Sequence, residues 1–154
     1  MEGIQYLSCQ EVKILKMKTK LLIFACIIVF YSCTENHLYK NYGIFEGRSR
    51  SKYVDEPYVG ISTVYISNQK IGKIDFRIVD TSKNELFDST YENHFLGNEE
   101  YTNQCRNDWK GVNYYPKKLI KTQRIERVDA VTGATWSYNL FKSSTLIALQ
   151  KASK

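Results

Sequence analysis

The stretch Lys73-Ile74-Asp75-Phe76-Arg77-Ile78 carries the clearest strand pattern of this 154-residue sequence. Apolar residues at 74, 76 and 78 alternate with charged residues at 73, 75 and 77, which predicts a β-strand with one face in the core and one in water. The preceding segment Tyr58–Ile66 is rich in Val, Ile, Tyr and Thr, which suit a pleated surface. A turn at Ser67–Lys70 separates the two segments, so they predict an antiparallel hairpin.

A similar alternation continues toward the amino terminus. Residues 44–51 alternate and predict a further strand, and a turn at Tyr53–Pro57 joins it to the hairpin. The three strands follow each other with short connections, which is typical of an antiparallel meander.

Aromatic residues spaced by four predict two helices after the strands, separated by Gly97-Asn98. The two stripes are Phe87, Tyr91 and Phe95, then Tyr101, Cys105 and Trp109 within Glu99–Lys110. Packing of these stripes onto the sheet is favoured over a cofactor role. Tyr114-Tyr115-Pro116 predicts the end of any helix, and Lys117–Thr122 predicts a short separate one.

The last segment, Thr135–Lys151, predicts an amphipathic helix that docks on the sheet, and Glu126–Val128 predicts an extended approach to it. The apolar stripe of this helix comprises Leu140, Phe141, Ser144, Ile147 and Ala148. The predicted fold class is therefore α+β, an antiparallel meander packed against helices with a helix at the carboxyl end.

The amino-terminal part predicts export. Lys16, Lys18 and Lys20 precede the apolar run Leu21–Tyr31, which is shorter than the roughly 20 residues of a membrane-spanning helix but fits a secretory signal. The run ends in Ser32-Cys33, and this junction resembles a bacterial lipoprotein signal with cleavage before Cys33 and lipid on its sulfur. A short uncleaved anchor is the alternative.

These features divide the chain into three predicted parts. Residues 1–32 form the signal segment, in which residues 1–16 are mostly polar and Met17 offers a more compact start. Residues 33–41 form a lipidated tether, and residues 42–152 form one domain with a single core. The predicted location is the outer side of a membrane, facing the periplasm or the cell exterior.

Composition argues against several other classes of function. The formal net charge of +6 is dispersed, and the densest basic segment, Lys117–Lys121, reads as a solvated helix face rather than a nucleic-acid site. With Cys33 lipidated, Cys105 is the one cysteine of the domain, so an internal disulfide is not expected. His37 and His94 are isolated, and no metal-ligand spacing is present.

The segment Asp129-Ala130-Val131-Thr132-Gly133-Ala134-Thr135 stands directly before the terminal helix. A glycine turn into a helix leaves backbone N–H groups unpaired beside the positive end of the helix dipole, which is a ready phosphate site. An ordinary helix cap with a glycine turn is the alternative interpretation.

This segment resembles the flavin-attachment signature D-x-x-[ST]-G-A-T of the FMN-binding domain family, in which a dedicated transferase joins the FMN phosphate to the last threonine. The resemblance covers roughly residues 42–152, and Cys105–Gly111 with Thr135–Asn139 looks like short lipoproteins of Bacteroides-type bacteria. Distant relatives are the flavin subunits of the sodium-pumping NADH:quinone reductase and the Rnf complex, whose membrane helix this chain lacks.

The resemblance implies FMN as the cofactor and Thr135 as the attachment point. Gly133 and Ala134 then allow close backbone approach to the phosphate, Thr132 caps the helix or bonds the phosphate, and Asp129 is read by the transferase. Trp136 and Tyr138, with Tyr114 and Tyr115, are candidates to stack on the flavin ring, although core packing is favoured for each.

The expected function is electron relay by a membrane-tethered flavoprotein, with a membrane electron donor and an extracytoplasmic acceptor as partners. The residues do not decide whether the protein is an enzyme, and an electron carrier is favoured. Two alternatives stay open: an FMN-dependent reductase with non-covalent flavin, and a surface or assembly lipoprotein without redox activity. A nucleic-acid partner is not expected.

Overall fold

The stretch at 73–78 lies within a longer strand, β3 (Lys70–Asp80), which pairs with β2 (Tyr58–Ser67) in the predicted hairpin. The computed structural model describes residues 39–40, 42–52 and 55–153. In this part of the chain β1 (Tyr42–Arg50), β2, β3 and the short β4 (Glu85–Leu86) form one antiparallel sheet in the order of the sequence. The hairpin turns on Asn68 and Gln69, whose φ values of 50° and 60° are those of a tight turn that matches strand twist.

Two helices follow the sheet, α1 (Glu99–Thr122) and α2 (Thr135–Ser153), and both bury apolar residues in the same core. Short 3₁₀ turns at Tyr91–Phe95 and Ile125–Arg127 precede α1 and α2 respectively. The core joins Val64 and Ile74 of the sheet to Leu119 of α1 and to Phe141 and Ala148 of α2. The predicted α+β class, with its meander and its last helix, is therefore confirmed.

Helix α2 lies unusually close to β1 and β2. A Cβ atom on Gly47 would stand 2.0 Å from the carbonyl oxygen of Ser144, so that position has no room for a side chain. The Ser62 hydroxyl, on β2, lies 2.7 Å from that of Ser144 and 2.9 Å from that of Thr145. These contacts fix the height of α2 above the sheet and hence the position of its first residue.

Three expectations about elements were wrong. Helix α1 runs without interruption through Pro116, because the flanking residues Tyr115 and Leu119 are both fully buried in the core. The segment around Phe87 is not helical but forms β4 and a turn, in which the Asp88 carboxylate accepts the backbone N–H of Thr90. Residues 125–127 form a 3₁₀ turn rather than an extended run.

The stripe on α2 also differs in one residue. Leu140, Phe141, Ser144 and Ala148 are buried as expected, whereas Ile147 is 36% exposed. The predicted signal segment and Cys33 lie outside the described residues. Neither described helix combines the length and the apolar character that a membrane crossing requires.

Candidate functional site

The segment 129–135 forms the turn that leads into α2. Thr132 and Gly133 occupy the turn, Gly133 has a φ of 74°, and Thr135 is the first residue of the helix. Asp129, Thr132, Gly133 and Thr135 are all exposed, whereas Ala134 is fully buried. Thr135, which ends the segment, is thus accessible to solvent, and Ala134 before it anchors the turn in the core.

Two tyrosines hold the shape of this turn. The Tyr115 hydroxyl donates to the Ala134 carbonyl at 2.8 Å and accepts the Val131 N–H at 3.4 Å. The Tyr138 hydroxyl donates to the Val128 carbonyl at 2.7 Å, and its ring packs edge-on against that of Tyr115. The Tyr115 hydroxyl therefore bonds the backbone within the segment 129–135, and the Tyr138 hydroxyl bonds the residue just before it.

A buried carboxylate from α1 meets the start of α2. Asp108 accepts the backbone N–H of Ser137 at 3.0 Å and the side-chain amide of Gln104 at 2.6 Å. The same Gln104 amide donates to the Gly133 carbonyl at 3.0 Å. Burial raises the pKa of Asp108, against the opposing effect of these hydrogen bonds. Sequence reasoning missed this pair, although Gln104 and Asp108 stand four apart on a helix and so share a face.

Asp108 accepts only one of the backbone N–H groups at the start of α2. The N–H groups of Thr135 and Trp136 find no acceptor among the described residues. They lie at the positive end of the α2 dipole, and an anion placed there would be stabilised.

An aromatic cleft of about 280 Å³ opens beside this helix start. Its walls come from β2 and the loop before it, the segment that follows β4 with its 3₁₀ turn, α1, and the first turn of α2. The lining residues are Glu56, Tyr58, Phe87, Tyr91, Phe95, Tyr101, Gln104, Cys105, Asp108 and Trp136. We call this the aromatic cleft.

Trp136 connects the cleft to the motif, since it follows Thr135 directly. Its ring centroid lies 4.9 Å from that of Tyr58, edge-on, and 5.2 Å from that of Phe87. Its indole N–H donates to the Glu56 carboxylate at 2.8 Å, and Glu56 also accepts the Ser51 hydroxyl. Of the four aromatic candidates, Trp136 is the one that lines the cleft, whereas Tyr114 packs edge-on against Tyr115.

A hydrogen-bonded chain forms the far wall of the cleft. The Tyr58 and Tyr91 hydroxyls lie 3.0 Å apart, and Tyr91 donates to Asp80 at 2.6 Å. Burial raises the pKa of Asp80, but hydrogen bonds from Ser82, Tyr91 and the Lys83 backbone outweigh it and lower that pKa to about 2. Asp80 is therefore ionised at neutral pH, and it accepts the hydrogen bond that orients the Tyr91 hydroxyl in the wall.

Cys105 is the remaining side chain with a reactive group in the aromatic cleft. It is a free thiol, 8% exposed, and burial raises its pKa above the usual value. A thiol with a raised pKa stays protonated at neutral pH and is a poor nucleophile. Within the part of the chain that the structure describes, no group of three or more metal-ligating side chains converges.

The chemistry that this arrangement favours is the binding of a planar aromatic group. Small-molecule sites in proteins are typically apolar clefts with a few oriented polar groups, of about 300–1,000 Å³. The volume of the aromatic cleft lies just below that range, and Gln104 and Asp108 are its polar groups on the side of the motif. A ring system fits such a cleft, and an attached anion would reach the helix start.

Comparison with known proteins supports the fold alone. The crystal structure of the CPE2226 protein from Clostridium perfringens is similar, with a TM-score of 0.52 and 24% sequence identity, over 73% of this chain and 88% of that one. No protein-family model matches the chain, and no curated protein matches it either.

Proposed function

We propose that this protein is a membrane-tethered, extracytoplasmic flavoprotein that carries FMN esterified through its phosphate to Thr135 and relays electrons. The observation that carries the proposal is the placement of the exposed Thr135 at the start of α2, next to Trp136 and the aromatic cleft. A phosphoester on Thr135 puts the phosphate at a helix start and leaves the ring system within reach of an aromatic wall.

The residues around Thr135 fit a phosphate. The positive end of α2 and the N–H groups of Thr135 and Trp136 favour an anion. The left-handed backbone of Gly133 turns the chain without a side chain that would crowd the phosphate. The Asp108 carboxylate opposes an anion here, but it is buried and its two hydrogen bonds direct it toward Ser137 and Gln104.

The aromatic cleft fits the flavin ring. Trp136, Tyr58 and Phe87 provide apolar and aromatic surface, and the exposed Gln104 side chain provides a hydrogen-bonding group for the polar edge of the ring. FMN when bound supplies one- and two-electron chemistry, while the protein sets its orientation and its access to solvent and partners. An exported protein gains from a covalent link, since a flavin lost outside the cytoplasm is not readily replaced.

The cleft also accommodates flavin without a covalent bond, as in a reductase with its own substrate. Acid precipitation of the purified yellow protein separates the two functions. Covalent attachment keeps the flavin absorbance in the pellet, and non-covalent binding leaves it in the supernatant. A protein that stays colourless with the transferase present would favour a surface or assembly role.

The decisive experiment measures the intact mass of the exported protein, expressed with and without a flavin transferase of this family. We expect an increment of one FMN in the wild type with the transferase only, none in Thr135→Ala, and recovery in Thr135→Ser. Ser143→Ala is the matched control, because it removes a half-exposed hydroxyl from the same helix and should keep the increment. An increment that survives in Thr135→Ala would exclude the assigned attachment site.

A further inference from the structure

A second surface lies at the opposite end of the domain. We propose that it rests on an anionic phospholipid bilayer and so fixes the orientation of the tethered domain. The surface comprises Tyr42, Ile44, Tyr65, Lys70 and Lys73, and we call it the hairpin patch. The proposal rests on the lipid tether of the proposed function and is independent of the flavin.

The strand register brings these side chains to one corner of the sheet. Ile44 pairs with Tyr65, which pairs with Lys73, and Tyr42 pairs with Ser67 beside Lys70. Directly paired residues lie on the same face of a sheet. The Lys73 ammonium stands 5.0 Å from the centre of the Tyr65 ring, so the basic and aromatic parts of the patch are in contact.

The patch is open to solvent. Tyr42 is 82% exposed and Ile44 is 67% exposed, and the two side chains are neighbours on the same face of β1. Among the described strands they form the most exposed pair of large apolar residues. Their neighbours in sequence, Gly43 and Phe45, occupy the opposite face of β1, where α2 packs against Gly47. The helices therefore cover the other side of the sheet and leave this corner bare.

Tyrosine and lysine around an aliphatic residue are typical of a protein surface that contacts the membrane–water interface. Tyrosine favours the level of the lipid headgroups, and lysine extends its apolar stem along the surface. Lys73 is paired with Asp75 at 2.8 Å, whereas Lys70 has no ion-pair partner among the described residues, so the Lys70 charge is the one that meets lipid phosphate. A second copy of this chain is a weaker occupant, because two-fold pairing of the patch would bring the unpaired Lys70 charges of both copies together.

The position of the tether places the patch within reach of the membrane. Lys40 donates its N–H to the Ala152 carbonyl, so the chain joins the domain at the carboxyl end of α2, close to Tyr42. Five residues separate Cys33 from Tyr39, and covalent geometry limits that span to about 20 Å. A lipid on Cys33 therefore holds this end of the domain near the headgroups.

The test uses the lipidated protein in vesicles of phosphatidylethanolamine and phosphatidylglycerol at three to one. A nitroxide label is placed by Ser67→Cys, within the patch but leaving its five side chains intact, or by Ser89→Cys, an exposed serine at the other end of the sheet. Electron paramagnetic resonance then measures the accessibility of each label to oxygen and to a water-soluble nickel complex.

We expect the ratio of oxygen to nickel accessibility to be several-fold higher at position 67 than at position 89. The double variant Tyr42→Ser with Ile44→Ser should abolish the difference, whereas Leu96→Ser, which removes an apolar residue 75% exposed elsewhere, should preserve it. Vesicles of phosphatidylcholine alone should reduce the difference, because Lys70 then has no anionic lipid to pair with.

Two results would overturn the inference. Equal, water-like accessibility at both positions in a protein whose mass shows the acyl chains would leave the tether and the flavin proposal intact and exclude the patch. Dipolar broadening between labels at position 67 of two molecules would assign the patch to a second copy instead. A mature protein without acyl chains would overturn the tether and this inference together. The mass increment of FMN on Thr135 would still test the flavin proposal on its own.

Discussion

Among single residues, Asp80 is the charged group on which the wall of the aromatic cleft depends. Its pKa is lowered from 3.8 to about 2, so its stabilising effect is complete above the unfolded-state value and is lost as the pH falls from about 4 to about 2. We expect Asp80→Asn to lower the free energy of unfolding by about 2 kcal/mol at pH 7, since each pKa unit corresponds to about 1.4 kcal/mol.

Urea unfolding at pH 7 and pH 2.5 measures this effect. The difference between wild type and Asp80→Asn should shrink at the lower pH, because wild-type Asp80 is then largely protonated in the unfolded state and partly so in the folded state. Asp75→Asn is the matched control on the same strand: its partner Lys73 is exposed, so we expect a loss below about 1 kcal/mol. A difference for Asp80→Asn that is the same at both pH values would contradict the assignment.

Gly133 both adopts a left-handed backbone conformation and adjoins the proposed phosphate site. Its φ of 74° is strained for any other residue, and a Cβ there would lie 2.9 Å from the Asn107 amide nitrogen. We expect Gly133→Ala to lower stability by about 1 kcal/mol and also to reduce FMN incorporation. Gly97→Ala, at a φ of 90° with open space around it, should show the stability loss alone.

The intact-mass increment per folded protein measures the difference between these two glycine variants. Equal incorporation in both would show that the turn at Gly133 serves the fold only. The turn could be predicted from the sequence alone, because the glycine, the threonines and their order in segment 129–135 are visible there. The sequence could not single out Asp108, because that residue reaches the first turn of α2 from a helix more than twenty residues earlier.

Among elements, the contact of α2 with β1 sets where the helix begins. Gly47→Ala would force a methyl group to within 2.0 Å of the Ser144 carbonyl, which is backbone and cannot move without lifting the helix. We expect a loss of about 3 kcal/mol, at the upper end of the usual range for overpacking. Gly72→Ala on β3 is the control, since its Cβ would meet its nearest atom at an ordinary 3.7 Å.

Urea unfolding of both variants gives the comparison, and a loss in Gly72→Ala as large as that in Gly47→Ala would argue against the close contact. Circular dichroism should show that the helical content of the remaining folded protein is unchanged. A secondary expectation is that FMN incorporation falls in Gly47→Ala, because Thr135 moves with its helix.

Elements were predictable from sequence where one periodicity acted alone. The strands β1 and β3 follow from alternation, β2 follows from its content of Val, Ile, Tyr and Thr, and α2 follows from its apolar stripe. Pro116 misled the prediction for α1, because local backbone preference was outweighed by the burial of Tyr115 and Leu119 on either side of it. The aromatic spacing around Phe87 resembled a helix, yet those rings reach the core from a short strand and a turn.

For the whole molecule, the two proposed sites stand at opposite ends of α2. The chain enters beside the last turn of the helix, whereas Thr135 begins it. The helix has 19 residues, so 18 steps of 1.5 Å separate its two ends by about 27 Å. A flavin on Thr135 is therefore held away from a membrane that contacts the hairpin patch. Electron transfer falls steeply with distance, so the partner must reach the flavin from the aqueous side.

This geometry predicts which oxidant the reduced protein can use. In vesicles, flavin-loaded lipidated protein should be reoxidised quickly by ferricyanide, which stays in water, and at least tenfold more slowly by a quinone whose isoprenoid tail confines it to the bilayer. Stopped-flow absorbance of the flavin measures both rates. In detergent solution, where the quinone meets either end of the domain, the difference should largely vanish. Equal rates in vesicles would mean that the flavin lies near the bilayer, against the orientation proposed from the tether and the patch.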